Sequence, residues 1–471
     1  MEKFDVIVVG GGPAGIFAAL ELSQDEQLSI LLIEKGKDLG ERQCPVRDTG
    51  SSCIRCQPCN LVCGLGGAGA FSDGKLVLTS QVGGHLSDYL GEERAGGLIK
   101  YVDEIYLKFG ASRKLFGEDG FIKDISRRAA EAGMRLIPTP VRHMGTENCF
   151  AVLKAMQDYL FPKLKFKLCA QVSRVLVEDG EVKGVETEDG EKYLCRYLVL
   201  APGREGADWL SREAERLRLT MRNNPIDVGV RVEVPVAVMK ELTDVMYEVK
   251  LEYMSRSFND RIRTFCMCPA GEVIMESTGG TDPVVTVNGH SYARRKSQNT
   301  NFALLVSTDF TRPFHEPIAY GKYLARLANL LGGGVLVQRL GDLRGGHRST
   351  PARIARGKVK PTLKSAAPGD ISFALPYRHL TGLVEMLQAM DKLMPGVASP
   401  DTLLYGIEVK FYSCRPQLTA SLETEVRNMF AVGDGTGVSR GLVQASASGL
   451  LAAVEILRRS GEGRLSGDRP A

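Results

Sequence analysis

Residues 10–15 have the types and spacing needed to hold a pyrophosphate. They read Gly10-Gly11-Gly12-Pro13-Ala14-Gly15 and fit the pattern G-x-G-x-x-G. The first glycine permits a tight turn, the second lets the backbone approach the phosphates, and the third lets a helix pack closely on a strand. Pro13 suits the first turn of a helix, whose N-terminal N–H groups attract an anion. We take Gly10, Gly12, Pro13, Ala14 and Gly15 as candidate cofactor-binding residues.

An acidic residue follows at the distance that a ribose contact requires. Glu34 stands 19 residues after Gly15, where its carboxylate can accept a hydrogen bond from a ribose hydroxyl. Lys35 is the next residue and is taken with it as a candidate cofactor contact. Because an acid at this position disfavours a 2′-phosphate, the sequence argues against NADP at this turn.

Cysteines are concentrated in one short stretch. Five of the 11 cysteines fall within 20 residues: Cys44, Cys53, Cys56, Cys59 and Cys63. The last four have the spacing C-x2-C-x2-C-x3-C, which is typical of ligands to a [4Fe–4S] cluster. Since only one such run exists, Cys44 is an alternative fourth ligand. A structural zinc site and reduced thiols without metal are the alternatives that the spacing leaves open.

The elements around the glycine turn are those of a Rossmann-like unit. Phe4–Val9 is a short β-branched run, typical of a strand buried on both faces of a parallel sheet. Ile16–Leu22 continues the turn as a helix, and Ser29–Ile33 is predicted to be a second strand that ends at Glu34. The glycine pattern therefore has the strand, helix and terminal acid that a dinucleotide site needs.

Later segments carry further glycines and an acid at strand ends. Asn428–Gly435 is predicted to be a strand ending in Gly433-Asp434, and a helix follows over 441–457. Leu198–Gly203 is a strand and turn, preceded by a β-meander over 170–187. Gly64–Lys75 is a glycine-rich loop. In this order the segments resemble the FAD fold of the glutathione-reductase-like, two-dinucleotide-binding superfamily.

That resemblance implies FAD as the cofactor and assigns roles by position. Asp434, with Gly433, would hold the ribityl chain, and the following helix would direct its positive end at the flavin pyrimidine. Val172 would contact the adenine through its backbone. The remaining implied cofactor contacts are Ala201, Gly203, Gly66, Gly67 and Ser72.

Other segments narrow the resemblance to one family. Gly66–Leu76, Phe265–Gly271, Val287–Gly289 and Asn299–Ala303 are similar to a poorly characterised prokaryotic family of FAD-dependent dehydrogenases, or NAD(P)/FAD-dependent oxidoreductases. The likeness covers nearly the whole chain and implies the fold and FAD, but no substrate. The chain departs from the family at Ala270, where glycine is expected, and around 409–416.

The predicted fold class is α/β: a Rossmann-like FAD-binding domain, whose parallel sheet carries the β-meander, plus a mixed α+β substrate domain. The FAD-binding domain is predicted to be discontinuous, over 1–85, 160–220 and 400–459. A helical insertion is predicted over 86–159, a substrate or cap domain over 221–399, and a flexible tail over 460–471. The middle of the chain has no second dinucleotide fingerprint, so nicotinamide could act only as a transient reductant.

Residues for the chemical step are only weakly indicated. Lys75 follows the glycine-rich loop, Arg440 precedes the predicted flavin-facing helix, and His347 lies in the basic stretch Arg344–Thr350. That stretch could clamp a carboxylate or phosphate, or be a solvated loop. His290 is a second candidate proton donor. Cys266 and Cys268, one residue apart, are interpreted as small packing thiols, with a redox role as the alternative.

Composition excludes several function classes. The chain has 471 residues, with 60 basic and 56 acidic side chains and a net charge of +4. This near-neutral balance gives no support for nucleic-acid binding. No apolar run reaches the length of a membrane span, and a strand begins too early for a cleavable leader. We expect a cytoplasmic protein with reduced or ligated thiols.

The functional expectation is an FAD-dependent oxidoreductase that acts on a small organic substrate by hydride transfer at flavin N5. If the cysteine run binds a cluster, single electrons would pass to a carrier such as ferredoxin. The alternatives are a reductase that uses NAD(P)H transiently, a flavin electron-transfer or tRNA-associated module, and a cysteine-based redox sensor. Substrate and oligomeric state are not encoded in any recognisable pattern.

Overall fold

Two compact units make up the chain. The computed structural model describes residues 2–45, 56–72, 74–117, 121–278, 284–291, 296–308, 310, 316–411 and 414–461. Unit 1 comprises residues 1–114, 142–223 and 413–471, and unit 2 comprises residues 115–141 and 224–412. The predicted helical insertion, 86–159, falls partly in each unit. Of the predicted flexible tail, residues 462–471 lie outside the described residues.

The described residues contain both strands and helices. The strands are β1 Glu2–Val9, β2 Ile30–Ile33, β3 Lys75–Val77, β4 Leu115–Phe116, β5 Met134–Ile137, β6 Val141–His143, β7 Lys165–Lys167, β8 Val172–Glu178, β9 Glu181–Thr187, β10 Lys192–Leu200, β11 Met221–Arg222, β12 Ile226–Pro235, β13 Lys250–Met254, β14 Arg261–Cys268, β15 Glu272–Thr278, β16 Val284–His290, β17 Asn299–Thr308, β18 Leu336–Arg339, β19 Ala367–Pro368, β20 Leu403–Lys410, β21 Arg415–Pro416 and β22 Met429–Ala431. The α-helices are α1 Pro13–Leu22, α2 Leu86–Leu90, α3 Glu92–Lys108, α4 Phe121–Glu131, α5 Thr146–Leu160, α6 Ala207–Arg216, α7 Val236–Val245, α8 Pro317–Gly332, α9 Leu340–Arg344, α10 Pro351–Arg356, α11 Tyr377–Leu393 and α12 Leu442–Gly461.

Unit 1 is built on a seven-stranded sheet in the order β7-β2-β1-β10-β9-β8, with β22 also beside β10. β1 pairs in parallel with β2 and β10, and β22 pairs in parallel with the carboxyl end of β10. β8, β9 and β10 form an antiparallel meander. The predicted Rossmann-like domain with its meander is therefore confirmed.

Helices cover both faces of the unit 1 sheet. α1 and α12 are in close contact, because a Cβ at Gly449 would overlap the carbonyl oxygen of Ala14. Their side chains form one core with α3 and α5, while residues on the opposite face of β1 and β10 form a second core with α6. Nine of the ten residues of α1 are buried, which fixes its N-terminus at the carboxyl end of β1.

Unit 2 is built on an eight-stranded sheet in the order β19-β18-β20-β12-β17-β14-β13-β5, and its central pairs are antiparallel. Along β12, Val228, Val230, Val232 and Val234 enter an apolar core shared with α4, α7 and α11. Asp227, Arg231 and Glu233 alternate with these valines and are also buried. The prediction of a mixed α+β second domain is confirmed, although its sheet carries charged side chains on a face that is itself covered.

No helix among the described residues is both long and apolar enough to cross a membrane.

Candidate functional site

The turn between β1 and α1 has the geometry of a pyrophosphate cradle. Gly10 has φ +105°, and a Cβ there would overlap the carbonyl oxygen of Ala201. A Cβ at Gly15 would overlap the carbonyl oxygen of Gly10. A Cβ at Gly12 would meet only the Cα of Gly67, at 3.9 Å, so space is left beside that backbone. Gly12 provides no side-chain cap, and the first-turn N–H groups of α1 have no acceptor within the helix.

Glu34 ties three backbone segments together at the end of β2. Its Oε2 accepts a hydrogen bond from the N–H of Gly11 at 2.7 Å, and its Oε1 accepts from Gly36 and Gly64 at 2.9 Å each. The side chain is buried. An ionised carboxylate has about four lone-pair sites, so one stays available for a ribose hydroxyl. Lys35, the neighbouring candidate, is half-buried.

The second glycine loop lies directly on the first. The N–H of Gly66 donates to the carbonyl oxygen of Gly11 at 2.8 Å, and a Cβ on Gly67 would lie 3.0 Å from the Cα of Gly12. Gly66 and Gly67 both have positive φ, +85° and +56°. Ser72 follows the short 3₁₀ turn and donates from its Oγ to the carbonyl oxygen of Gly69 at 2.9 Å. The structure therefore brings the two loops together as a FAD site requires.

Arg42, which the sequence analysis did not identify, stabilises the second glycine loop and the residues before it through hydrogen bonds to backbone carbonyl oxygens. Its guanidinium donates to the carbonyl oxygens of Leu65 at 2.6 Å, Asn60 at 2.9 Å and Leu61 at 2.9 Å. It also lies over the ring of Phe71, 4.8 Å from the centroid. Burial lowers the pKa of Arg42 to about 10, against the opposing effect of Glu34. Nothing in the spacing of Arg42 indicates this role, because its acceptors are backbone atoms.

The turn after β10 and the segment that precedes the meander contact the carboxyl ends of β1 and β2. The N–H of Ala201 donates to the carbonyl oxygen of Val9 at 2.7 Å, and Gly203 has φ +62°, where an added Cβ would meet no atom within 4 Å. The N–H of Ala170 donates to the carbonyl oxygen of Glu34 at 3.1 Å. Val172, two residues after Ala170 at the start of β8, therefore lies close in space to the end of β2. The contact of Val172 with adenine stays a prediction.

Asp434 lies in a turn after β22 and is held by two donors. Its Oδ1 accepts from Ser439 Oγ at 2.6 Å, and its Oδ2 accepts from Arg204 at 3.1–3.2 Å. The Arg204 side chain is 74% exposed, so this ion pair is weak and displaceable. Gly435 was not among the cofactor-binding residues predicted from the sequence. A Cβ at Gly435 would overlap the carbonyl oxygen of Gly203, so the turn after β22 packs closely against the turn after β10. The G-x-G spacing of 433–435 was its signal.

Arg440 sits in a small polar network just before α12. Its Nη2 lies 3.0 Å from His85 Nε2, and His85 Nδ1 lies 3.0 Å from a carboxylate oxygen of Asp88. Burial, together with Arg440 and Arg415, lowers the pKa of His85 to about 4. The neutral ring therefore donates from Nδ1 to Asp88 and accepts at Nε2 from Arg440. This network holds Arg440 at the end of α12 that carries partial positive charge.

The other weak candidates are separated between the units. Lys75, at the start of β3, is half-buried in unit 1. His347 and His290 belong to unit 2, where His347 is exposed and His290 is half-buried. The basic stretch that contains His347 is anchored by Ser349, whose Oγ donates to Asp342 at 2.6 Å. The three candidates therefore do not belong to one unit.

The cysteine run is only partly described. Cys53 lies outside the described residues, whereas Cys59 and Cys63 share one helical turn, in which the Cys63 N–H donates to the Cys59 carbonyl oxygen at 2.9 Å. Cys44 and Cys56 are half-buried. Burial raises the pKa of Cys63. Within the described ranges, no group of three or more His, Cys, Asp or Glu residues is arranged to hold a metal ion.

Three family descriptions match the chain. "NAD(P)-binding Rossmann-like domain" matches residues 8–55, which contain the glycine turn and Glu34. "FAD-dependent protein, C-terminal domain-like" matches residues 225–411, nearly all of the main segment of unit 2. "Glucose inhibited division protein A" matches residues 371–463, which contain Gly433 and Asp434. FAD binding, expected from the sequence, is supported by these matches.

Individual proteins with similar sequence or fold were also found. An uncharacterized protein from Clostridium beijerinckii is 28% identical over 480 residues, covering 96% of this chain and 80% of that protein. Pyridoxine 4-oxidase from Mesorbium loti is 13% identical, with a TM-score of 0.44, over 97% of this chain and 99% of that one. Glycine oxidase from Geobacillus kaustophilus is 13% identical, with a TM-score of 0.41, over 97% and 95%.

Proposed function

We propose that this FAD-dependent oxidoreductase, whose residues 225–411 match the C-terminal domain of FAD-dependent proteins, transfers a hydride between a small organic substrate and flavin N5. The observation that carries the proposal is the contact between the two glycine loops. Gly12 and Gly67 lie against each other at the N-terminus of α1, with Glu34 beside them. Bound FAD would supply the two-electron chemistry, and the protein would supply binding and orientation.

Each part of the proposed cradle has a separate task. The N-terminus of α1 holds the pyrophosphate, because its N–H groups and dipole favour an anion. Glu34 accepts a ribose hydroxyl at its remaining lone-pair site, and Asp434 exchanges its exposed partner Arg204 for ribityl hydroxyls. The N-terminus of α12 and Arg440 provide positive charge, which stabilises a developing negative charge on the flavin pyrimidine. The half-buried, neutral His85 keeps Arg440 oriented.

The proposal assigns the substrate contacts to unit 2. Its support is the set of charged side chains on the covered face of the unit 2 sheet, which are costly to bury and make specific contacts. Arg231, Glu233 and Glu408 belong to this set. Glu233 accepts from Tyr405 at 2.5 Å and from Thr362 at 2.5 Å. Burial raises the pKa of Glu233 despite these donors. A raised carboxyl pKa is one of the properties of groups that transfer protons at functional sites.

The experiment that tests the core proposal identifies the flavin and its reactivity. Protein purified under anaerobic conditions is denatured, and chromatography of the released flavin distinguishes FAD from FMN. We expect one FAD per chain. Anaerobic addition of NADH, NADPH or reduced ferredoxin, each alone, then shows which reductant bleaches the flavin absorbance. Protein that retains no flavin, and binds none on titration with FAD, would refute the proposal.

The iron–sulfur relay is a separate part of the proposal. It is supported by the spacing of Cys53, Cys56, Cys59 and Cys63 and by the shared helical turn of the last two. In this proposal a single electron passes from the flavin site to a carrier such as ferredoxin. Iron and acid-labile sulfide analysis with EPR spectroscopy tests it, and a Cys59→Ser variant should lose both elements. If the protein contains FAD but no iron, the proposed iron–sulfur relay is refuted and the hydride-transfer proposal is unaffected.

A further inference from the structure

A run of exposed cations lies in unit 2, from the end of α9 to the residues before β19. Residues 344–364 (the basic segment) contain seven basic side chains and no acidic one: Arg344, Arg348, Arg353, Arg356, Lys358, Lys360 and Lys364. All seven are exposed. Removing them from the 60 basic side chains of the chain leaves 53 against 56 acidic ones, so the rest of the chain is slightly acidic. The near-neutral total, which gave no support for nucleic-acid binding, therefore conceals one strongly basic segment.

The backbone of the basic segment is packed on unit 2. Ile354, in α10, and Val359 are buried in an apolar core with residues of β15, β16, β18 and β20. The carbonyl oxygen of Lys360 accepts a hydrogen bond from Asn299 Nδ2 at 2.8 Å, and Lys360 Nζ donates back to the carbonyl oxygen of Ala355 at 2.7 Å. A surface that is ordered before binding loses less conformational entropy than a disordered basic tail.

The acidic residues near the basic segment do not balance its charge. Asp342 pairs with Arg353 at 2.7 Å, and Asp401 pairs with Arg339, just before the segment, at 2.6 Å. The acidic residues that lie at the segment or beside it are Asp342, Asp370, Asp401 and the buried Glu233. Counting all four against Arg339 and the seven cations of the segment leaves four positive charges without a counter-charge.

Most cations of the basic segment have no ion pair with another described residue. Among the residues that the structure describes, no carboxylate lies within 4.0 Å of Arg344, Arg348, Arg356, Lys358, Lys360 or Lys364. Because these side chains are exposed and not already paired, an external anion can bind them without first displacing a carboxylate. The segment is therefore available to a partner with several negative charges.

The exposed chemistry of the basic segment fits phosphate groups better than a protein or lipid surface. Every large hydrophobic side chain that is exposed in the described part of the chain lies outside 344–364. The core of a protein–protein interface is enriched in aromatic side chains and depleted in Lys, Glu and Asp. A helix that binds a membrane surface inserts apolar side chains among the lipids. Phosphate oxygens, in contrast, are bound mainly by Arg, Lys, Ser and Thr side chains and by backbone N–H groups, and a guanidinium can hold them with two parallel hydrogen bonds.

We propose that the basic segment binds the phosphate backbone of a double-stranded nucleic acid. A duplex carries one negative charge per about 1.7 Å of its axis, so four to seven neutralised phosphates occupy roughly 7–12 Å. The six-residue helix α10 alone is about 9 Å long, so the segment spans a comparable length. Single strands are bound by stacking their bases on aromatic rings, and the segment contains no aromatic residue. The site uses residues of unit 2 only and does not rest on the flavin proposal.

The test titrates the intact, FAD-loaded chain against fluorescein-labelled nucleic acids and follows the fluorescence anisotropy. The probes are an RNA duplex and a DNA duplex of the same sequence, each of about 20 base pairs, and one single strand of each. At about 100 mM KCl we expect a dissociation constant of about 10⁻⁵ M or tighter for at least one duplex, and weaker binding of the single strands. The two duplexes distinguish RNA from DNA as the source of the backbone.

The salt dependence tests whether the binding is electrostatic. Four to six neutralised phosphates give a slope of about −4 to −5 when the logarithm of the association constant is plotted against that of the salt concentration. Between about 50 and 200 mM KCl the affinity should therefore fall by roughly 100-fold or more.

A matched pair of triple variants locates the contact. Three cations of the basic segment are removed in Arg356→Gln/Lys358→Gln/Lys364→Gln. The control, Lys123→Gln/Lys240→Gln/Lys392→Gln, removes three exposed cations from α4, α7 and α11, which pack on a different apolar core of unit 2. Both variants change the net charge equally. The first should make the salt slope less steep by about three and weaken duplex binding at least about tenfold, whereas the control should stay within about threefold of the unmodified protein.

FAD content and melting temperature, measured for both triple variants, show that they are folded. If the first variant does not fold, the single variant Arg356→Gln replaces it and should make the slope less steep by about one.

Four results would overturn the proposal. Dissociation constants above about 10⁻⁴ M for both duplexes would show that the segment does not bind a phosphate backbone at this salt concentration. Equal loss of affinity in the two triple variants would show that only net charge matters. Tighter binding of a single strand than of its duplex would contradict the double-stranded partner. Sedimentation with vesicles of phosphatidylserine and phosphatidylcholine, without binding of either duplex, would assign the segment to a membrane surface.

Discussion

Replacing Gly12 by alanine should separate FAD binding from folding. Gly12 has φ −78° and ψ −175°, an extended conformation that alanine adopts without strain. An added Cβ at this position would have the Cα of Gly67 as its nearest atom, at 3.9 Å, which is ordinary van der Waals distance. The protein without cofactor therefore tolerates the new methyl group. That methyl group does, however, fill the space in which the pyrophosphate must approach the N-terminus of α1.

The expected loss of affinity follows from the hydrogen bonds at the helix N-terminus. A hydrogen bond to a charged group contributes about 1.5–3 kcal/mol. Displacing the pyrophosphate from two N–H groups would thus cost about 3 kcal/mol or more. Since each 1.4 kcal/mol is tenfold in a dissociation constant, we expect Gly12→Ala to weaken FAD binding by roughly 100-fold. The free energy of unfolding of the apoprotein should change by less than about 0.5 kcal/mol.

The assay is titration of apoprotein with FAD, followed by flavin fluorescence, together with urea unfolding of the same apoprotein. Gly96→Ala is the matched control, because a Cβ at Gly96 in α3 meets no atom within 4 Å. It should leave FAD affinity unchanged and stabilise α3 slightly. Unchanged FAD affinity in Gly12→Ala would refute the placement of the pyrophosphate. Loss of affinity accompanied by an equal loss of apoprotein stability would refute the claim that the position is sterically open.

Three further predictions concern the loops that surround the cradle. Gly67→Ala should lose FAD, because its Cβ would lie 3.0 Å from Gly12 Cα. Its control is Gly180→Ala, which has a similar positive φ and no atom within 4 Å of the added Cβ, and which should lose only about 1 kcal/mol of stability in urea unfolding. Equal FAD affinity in the two variants would contradict the loop contact. Arg42→Met should lower the free energy of unfolding by about 2 kcal/mol, since it leaves the buried carbonyl oxygen of Leu65 and the half-buried carbonyl oxygens of Asn60 and Leu61 without their donor. A change under about 1 kcal/mol would show that the loop does not depend on Arg42. Burial, with Arg440 and Arg415, lowers the pKa of His85 from 6.5 to about 4, so stability that is present above pH 6.5 is lost as the pH falls toward 4, by about 2 kcal/mol at pH 5. In urea unfolding, His85→Gln should therefore lose about 2 kcal/mol less between pH 7 and pH 5 than the unmodified protein. An identical loss in both proteins would contradict the lowered pKa of His85.

Local sequence was sufficient where the backbone conformation itself carries the information. The strand over 4–9, the glycine turn and the helix that follows were predicted from six residues and a β-branched run, and β1 and α1 confirm them. The meander strands were also predicted, because Glu-Asp-Gly turns separate short alternating runs. Gly10 needs glycine for its positive φ, and Gly15 needs it for its contact with Gly10; both requirements are short-range in sequence, so the motif identifies them.

Contacts between distant segments could not be read from the pattern. Glu34 was predicted to bind a ribose, but its bonds to the N–H groups of Gly11, Gly36 and Gly64 depend on loops that meet only in the folded unit. Arg42 was missed for a related reason. Its acceptors are carbonyl oxygens 18 to 23 residues away, and a carbonyl oxygen leaves no trace in residue type.

The sequence by itself predicted a dinucleotide cofactor, because a pyrophosphate site requires glycines at fixed short spacings and a ribose contact requires an acid at the end of the second strand. Only the tertiary structure decided the environment of the charged residues in the second unit. Alternating polar positions in an antiparallel strand commonly face water. In β12 the residues Asp227, Arg231 and Glu233 are instead buried, because β15, β16 and neighbouring segments cover that face. Burial is a property of what packs on a strand, and no local pattern in the strand specifies it.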